Sequence, residues 1–344
     1  CINNAWLNKL NLSKPDNSAE LLDVLKAFKN NDPNGNGLKD EIPLHFHGIW
    51  DLKFLAHGFG IVANDFHFQL QDFQLQFVAN ENAYYDFLIY LRDLYQNSYL
   101  DKAGFQPVLE LTQSKEPTEN IYGIIIAPNI MGKLPKNLAT EYELLDPLQY
   151  NGKQIYRKVI QEVSPGALVI SSTTKNISEV LSCFDYLYGE EGAIRASIGE
   201  KGTTYQIYED GTWDWIESDS QKLKEQLLNN TLTNISFPPL LEPVNFHKQF
   251  DDSLAQTILK QFENFSAYLI SPTPLIKLSQ EELEYIQPIH ANLSTYIDEN
   301  SVQFILGEKS LNSTTWEAYK AELQTLQLDD YLVFWKNKFT LQGE

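Results

Sequence analysis

Apolar residues recur along this chain mainly at helical spacing. Leu21, Leu22, Leu25 and Phe28 form a stripe behind Asn17 and Glu20, a capping pair three residues apart, so a helix is predicted to start there. Phe87, Leu88, Leu91 and Leu94 predict a second helix from about Ala83 to Tyr99. Ile177, Val180, Leu181 and Phe184 predict a third over Asn176 to Gly189, with Asn176 and Glu179 as its capping pair and Cys183 buried as a small hydrophobe. Late helices are predicted to begin at Ser279 with Glu282 and at Thr314 with Glu317, and Pro288 should kink the first. Trp316 and Trp335 fall at apolar helical positions and are assigned to the core. Strand signals are fewer. Tyr122 to Ala127, with its run Ile124-Ile125-Ile126-Ala127, has the length and continuity of a buried strand. The stretch around Gly58 and Gly60 reads as extended, and Met131 to Asn151, with Pro135 and Pro147, reads as a loop that crosses between lobes.

Length changes this picture from one core to more than one. A chain of 344 residues that is 43% hydrophobic can bury roughly three quarters of its unfolded surface and should divide into compact lobes. No apolar run approaches the ~20 residues of a membrane-spanning helix. A net charge of -20 repels phosphate backbones, which argues against a nucleic-acid partner. Two cysteines cannot build a disulfide framework.

The segment Asp32-Pro33-Asn34-Gly35-Asn36-Gly37-Leu38-Lys39-Asp40-Glu41-Ile42-Pro43 carries the most specific chemistry. Asp32, Asn34 and Asn36 stand at positions 1, 3 and 5 of a calcium loop, Gly37 at the turning position 6, and Leu38 at position 7, where a backbone carbonyl is required. Position 12 is Pro43, which has no carboxylate, so another acid must complete the sphere, and Asp40 and Glu41 are nearest. A polar Asx/Gly turn would share the Asn-Gly-Asn-Gly part of this pattern but not its acids in register. The expected cofactor is a structural Ca2+ held by Asp32, Asn34, Asn36, Leu38, Asp40 and Glu41, tying a helix end to an extended segment.

Trp6-Leu7-Asn8-Lys9-Leu10, the Ala19 to Phe28 helix and this loop together resemble the family 1 extracellular solute-binding proteins of bacterial ABC transporters, in particular the carbohydrate-binding lipoproteins of Gram-positive bacteria. The resemblance continues in family order through Ser164 to Ser171 with Lys175-Asn176, Phe184 to Tyr188, Glu191-Gly192, Gly199 to Tyr205, and Trp316 to Tyr319 with Leu323, Leu328 and Tyr331-Leu332. It implies an α/β periplasmic-binding-protein-like fold of type II with two lobes, one of them incomplete. The implied division is 1–135 as second lobe with the calcium loop, 136–200 as a crossing segment and remnant of the first lobe, and 201–344 as the ligand-side turn, second-lobe and closing helices. It also implies capture of an oligosaccharide by hinge closure, delivery to an ABC-transporter permease, no catalysis, a monomer, and lipid anchoring of the full-length protein at the extracellular face of the membrane. Cys1 is not expected to carry the lipid, because Ile2 to Leu7 resembles an internal family segment. A signal peptide and most of the first lobe are expected to lie upstream or to have been lost, and this chain alone is expected to bind neutral oligosaccharide weakly or not at all.

Sugars present C–H faces and hydroxyl rims, so their sites need a flat aromatic ring with amides or carboxylates beside it. Trp50 with Asp51, Phe66 with Asn64 and Asp65, Tyr205, and Trp213 with Asp214 and Trp215 have that local composition, although each also suits a core role and Trp213 and Trp215 sit two apart on one strand face. The family often has a tryptophan-rich turn where this chain has Ile126-Ala127-Pro128-Asn129. His45 and His47 alternate on a strand without a further ligand at metal spacing, and a hydrogen-bonded or solvent-facing role is expected. No phosphate loop, nucleophile elbow or selected carboxylate pair is present. A calcium-stabilised adhesin or peptide-binding lipoprotein on the same scaffold, and a carbohydrate-active enzyme, are the competing readings.

Overall fold

The computed structural model describes residues 1–71, 74–105, 120–127, 130, 134–158, 168–233, 240–274 and 276–341. The chain divides into two compact units, residues 1–159 with 263–344, and residues 160–262. The ends of the sequence blocks, 135 and 200, do not coincide with the boundaries of these units.

The larger unit is built on a four-stranded sheet. Its order is Ile42–His45, Tyr122–Ile125, Ile2–Asn3, Tyr142–Glu143. Ile42–His45 runs parallel to Tyr122–Ile125, and Ile2–Asn3 runs antiparallel to both of its neighbours. The helix Ser18–Asn30 packs on this sheet and buries Leu21, Val24, Leu25 and Phe28. Gly123 makes that approach close: a Cβ there would lie 2.3 Å from the Phe28 ring. The helix Asn82–Gln96 lies along the 27-residue helix Gln280–Leu306, and Ser313–Thr325 and Leu328–Leu341 pack behind them. Their shared core holds Trp316, Tyr319, Tyr331 and Trp335, so both tryptophans assigned to the core belong to it.

Local signals are honoured unevenly. Asn17 accepts from the Ala19 and Glu20 amides, and Ser279 forms a full capping box with Glu282. The next cap is Asn312 with Thr315, two residues before the expected Thr314, because an Asx side chain at 312 already reaches the first free amides. The long helix runs through Pro288 unbroken, and residues 53–59, expected to be extended, form a 3-10 helix. The expected loop at 131–151 contributes, in its described part, a short helix Lys136–Ala139 and the edge strand Tyr142–Glu143.

The smaller unit has a small aromatic core of Ile198, Tyr205 and Trp213, with Ile194, Trp215, Phe246 and Phe250 packed against it. The hairpin Tyr205–Ile207 with Trp213–Trp215 carries that core. Helix Ile177–Leu187 buries no residue, Asn176 makes no side-chain cap, and Cys183 is exposed, contrary to the burial its apolar stripe suggested. Periodicity shows that a face is apolar but not that anything covers it. Of the block beginning at Ser164, residues 164–167 lie outside the described residues, as does Pro128-Asn129, and 168–171 is not strand.

Candidate functional site

In the larger unit a cavity of about 310 Å³ is lined by Trp50, Phe54, His57, Asn64, Asp65, His67, Tyr156, Arg157, Ser294 and Asp298 among others. The four-residue helix Ile49–Leu52 runs into the 3-10 helix, and this places Trp50 and Phe54, four apart, on one face. Their rings stack at 5.1 Å and 13°, and Phe54 stacks in turn on Tyr156 at 5.9 Å and 14°. Tyr156 arrives from the strand Tyr156–Arg157, which pairs with Leu269–Ile270. The result is a ladder of three aromatic rings with Trp50 at its outer end, 42% exposed.

Charges on the rim are paired. Arg157 lies 2.6 Å from the Asp65 carboxylate and 5.2 Å from the Trp50 ring centre. Lys53 lies 2.8 Å from Asp298 and 5.9 Å from the same ring. Two cations balanced by two carboxylates leave the rim without excess charge. Among the described residues Arg157 Nε and His57 Nε2 find no hydrogen-bond partner, although both are buried; polar atoms in that state are normally satisfied by water or ligand.

His57 Nδ1 donates to the Phe54 carbonyl at 2.6 Å, which fixes the tautomer and leaves Nε2 as an acceptor. Burial holds its pKa down to about 4. His67 sits in the left-handed region at φ 63, with Nε2 3.3 Å from the Ser294 hydroxyl, and burial followed by Lys53, His290 and Arg157 lowers its pKa to about 3. A base whose folded pKa is depressed stabilises the fold above its unfolded value near 6.5, and that contribution is lost as pH falls toward the folded pKa. Urea unfolding at a series of pH values should therefore show stability falling below about pH 6.5, by on the order of a few kcal/mol in total. His67→Asn, which tolerates the left-handed backbone, should flatten that acid limb. An unchanged limb would locate the acid sensitivity elsewhere.

The residues singled out in the sequence are not brought together. Trp50 lines the cavity. Phe66 packs behind it, 4.7 Å from both the His290 and Trp335 rings. Tyr205, Trp213 and Trp215 belong to the smaller unit. Trp213 is 1% exposed, stacks on Phe246 at 4.9 Å and Phe250 at 4.5 Å, and spends its indole N–H on the Phe246 carbonyl, so it offers no face to a ligand. Tyr205 packs edge-on against Trp213, and Trp215 meets Trp213 edge-on as well. The sequence reading missed Phe54, His57, Tyr156 and Arg157. Phe54 was visible as a partner of Trp50 at i+4, whereas Tyr156 is joined to them only by the fold.

The loop after Ser18–Asn30 is already wound as a cation loop would be. Asp32 accepts from the amides of Gly35 and Gly37 at 2.7 and 2.9 Å. Asn34 accepts from Asn36 and Asn36 from Leu38, at 3.1 and 2.7 Å, with Gly35 and Gly37 at positive φ. The side-chain amides of Asn34 and Asn36 both reach the Asp40 carboxylate, at 3.1 and 3.0 Å. Among the described residues no three His, Cys, Asp or Glu side chains converge at metal spacing. The donor set here depends instead on amide and backbone oxygens. Glu41 gives the fit its sharpest point: it is 2% exposed, its Oε1 finds no partner among the described residues, and burial, then Asp40 and Asp32, push its pKa up. A buried carboxylate oxygen facing other acids is the position a hard cation would satisfy. His45, expected to be hydrogen-bonded, holds Asp101 through Nδ1 at 2.6 Å.

This fold matches that of solved substrate-binding proteins of ABC transporters, and the chain is similar in sequence to two curated proteins. It is 28% identical over 361 residues, covering 98% of this chain, to the fructooligosaccharide ABC transporter substrate-binding protein FusA of Streptococcus pneumoniae, and 25% identical over 237 residues, 63% of this chain, to lipoprotein LipO of Bacillus subtilis. The chain spans 64% of the length of FusA and 46% of that of LipO in these matches. The solved structure of FusA in complex with kestose matches with a TM-score of 0.77 and 24% identity, over 99% of this chain and 71% of FusA. An EF-hand mutant of FusA in complex with fructo-nystose matches at 0.76, with 23% identity over 99% of this chain and 72% of FusA. The alginate-binding protein AlgQ2, solved without calcium ion, matches at 0.72 with 20% identity, over 98% of this chain and 71% of AlgQ2. No family model matches the chain. FusA is described as a substrate-binding protein and LipO as a lipoprotein.

Proposed function

We propose that this chain is the ligand-capturing part of an extracellular solute-binding protein that takes a neutral oligosaccharide and presents it to an ABC-transporter permease, without catalysing a reaction. The observation that carries this reading is the ring ladder Trp50–Phe54–Tyr156 beside a charge-balanced rim. A sugar's C–H face would meet the exposed edge of the ladder, and its hydroxyls would find Asn64, Asp65 and Arg157. A carboxylated sugar would instead want a cation in surplus, and the rim has none. The similarity to FusA over nearly the whole chain supports the carrier reading, and LipO's description as a lipoprotein supports lipid anchoring of the full-length protein at the outer membrane face. Among the described residues no helix is long and apolar enough to cross a membrane.

Calorimetry with kestose and a panel of other neutral oligosaccharides tests the site. Trp50→Ala and Tyr156→Ala are each expected to weaken binding about tenfold, equivalent to roughly 1.4 kcal/mol. Trp50 supplies the exposed ring and Tyr156 the rung that holds Phe54 in place. Binding that survives both substitutions at full strength would show that the sugar sits elsewhere.

The loop 32–43 is proposed to hold a structural Ca2+. Asp32, Asn34, Asn36, the Leu38 carbonyl, Asp40 and Glu41 would supply its oxygens, and the ion would neutralise a surplus of buried and neighbouring acid. Its role is mechanical, joining the end of Ser18–Asn30 to the sheet strand Ile42–His45.

A further inference from the structure

A second cavity, of about 540 Å³, adjoins the first in the same unit and shares Ile61, Val62 and Val78 with it. Its wall is the hairpin Phe68–Gln71 with Gln74–Phe77, whose sequence alternates strictly: Phe68, Leu70, Leu75 and Phe77 on one face, and Gln69, Gln71, Gln74 and Gln76 on the other. The apolar face is anchored through Phe68 and Phe77 in the core. Gln69, Gln71 and Gln76 line the cavity. Gln69 is itself fixed, its carbonyl oxygen accepting from the Val62 amide at 2.8 Å and its amide donating to the Gln76 side chain at 3.3 Å, so these two glutamines are held in place.

An aromatic ring lines the same cavity. Tyr150 is 41% exposed and is presented by a tight turn in which Tyr150 and Lys153 exchange backbone hydrogen bonds at 2.9 and 3.0 Å. The turn needs left-handed backbone at Asn151 and Gly152. Tyr150 lies over Gly60, where a Cβ would come within 2.7 Å of the ring. Glycine at 60 therefore serves two purposes, a positive φ of 77° and room for the ring. Glu81 and Lys153 are the charged residues in this lining, one of each sign.

We propose that this second cavity is a glycan subsite that holds the part of a neutral oligosaccharide extending beyond the first cavity, with Tyr150 as its stacking ring and the glutamine face of the hairpin as its hydroxyl reader. A glutamine amide offers both a donor and an acceptor without charge, which matches the vicinal hydroxyls of a neutral sugar and neither attracts nor repels an ion. An apolar ligand would leave those amides desolvated, and an anionic one would find no surplus cation. Both cavities lie within the size range of small-molecule sites, roughly 300–1,000 Å³, and their common border of Ile61, Val62 and Val78 makes them neighbours along one ligand. This assignment rests on the carrier reading above and adds to it a preference for chain length.

Calorimetry with neutral oligosaccharides of graded length, kestose and its longer homologues included, separates the two claims. The unaltered protein should bind the longer members more tightly than the shortest by roughly tenfold. Tyr150→Ala and Gln71→Ala should erase that gain while leaving the shortest member's affinity within about twofold, whereas Trp50→Ala should weaken binding at every length. Hydrogen exchange should show residues 74–77 and 150–155 protected by the longest ligand and not by the shortest. A length preference that persists in both variants, or the absence of any preference in the unaltered protein, overturns the subsite and leaves the first cavity standing. Failure of every glycan to bind the full-length protein, as well as this chain, overturns the carrier reading itself.

Discussion

Calcium added to chelated protein is expected to raise its melting temperature by several degrees, and both Asp32→Ala and Glu41→Gln are expected to abolish the rise. An ion that binds the folded form alone stabilises it by about 2.7 kcal/mol when present at a hundredfold its Kd, and about 2–4 °C per kcal/mol is the scale for a chain of this size. The two substitutions act differently, which is what makes them informative. Asp32→Ala removes the carboxylate that accepts from the Gly35 and Gly37 amides, so it loosens the loop even in chelator. Glu41→Gln removes a charge that is buried beside Asp40 and Asp32, so in chelator the variant should melt no lower than the parent. Magnesium should substitute poorly, because it demands a smaller, near-octahedral set of oxygens. A calcium shift of the same size in the parent and in both variants would remove the ion from this loop.

Trp213→Ala should unfold the smaller unit selectively. Its ring is the centre of a core that also contains Ile198 and Tyr205, so truncation costs about 3–5 kcal/mol in transfer and cavity terms. It also strands the Phe246 carbonyl that the indole N–H satisfies at 2.7 Å. Hydrogen exchange read by mass spectrometry should show protection lost across 168–233 and 240–262 and kept in the helices Asn82–Gln96 and Gln280–Leu306. Loss spread evenly over both units would mean that the two do not unfold independently, and no loss would mean that Trp213 is not the keystone its contacts suggest.

Sequence carried the fold furthest where one physical signal acts alone. The Asn17 cap, the Ser279 box and the stripes at 21–28 and 87–94 are decided within a few residues, and the structure places helices there. The turn at 32–41 was legible for the same reason, since the side chains that hold its amides lie within ten residues. Legibility ended where a distant element decides. The apolar stripe of Ile177–Leu187 finds no cover among the described residues, so Cys183 is exposed, and Trp213 has the local composition of a ligand residue because nothing in Trp-Asp-Trp announces the Phe246 and Phe250 rings that stack on it. The ladder needs Tyr156, a hundred residues after Phe54, and the charges that balance its rim come from 53, 65, 157 and 298. Local composition names the kind of residue a sugar site requires, but only topology says which ones share a wall.

Ile2–Asn3 lies inside its sheet rather than at an edge, with Tyr122–Ile125 on one side and Tyr142–Glu143 on the other. That position sets a timetable for folding. Ile2 closes loops of more than a hundred residues on both flanks, and such closures are entropically late and slow. During synthesis at about 5–20 residues per second, the strand waits on the order of ten seconds for both neighbours to exist. Helix Ser18–Asn30 and the 32–43 loop can meanwhile form from local contacts, so a bound ion would secure them before the sheet that receives them has been made.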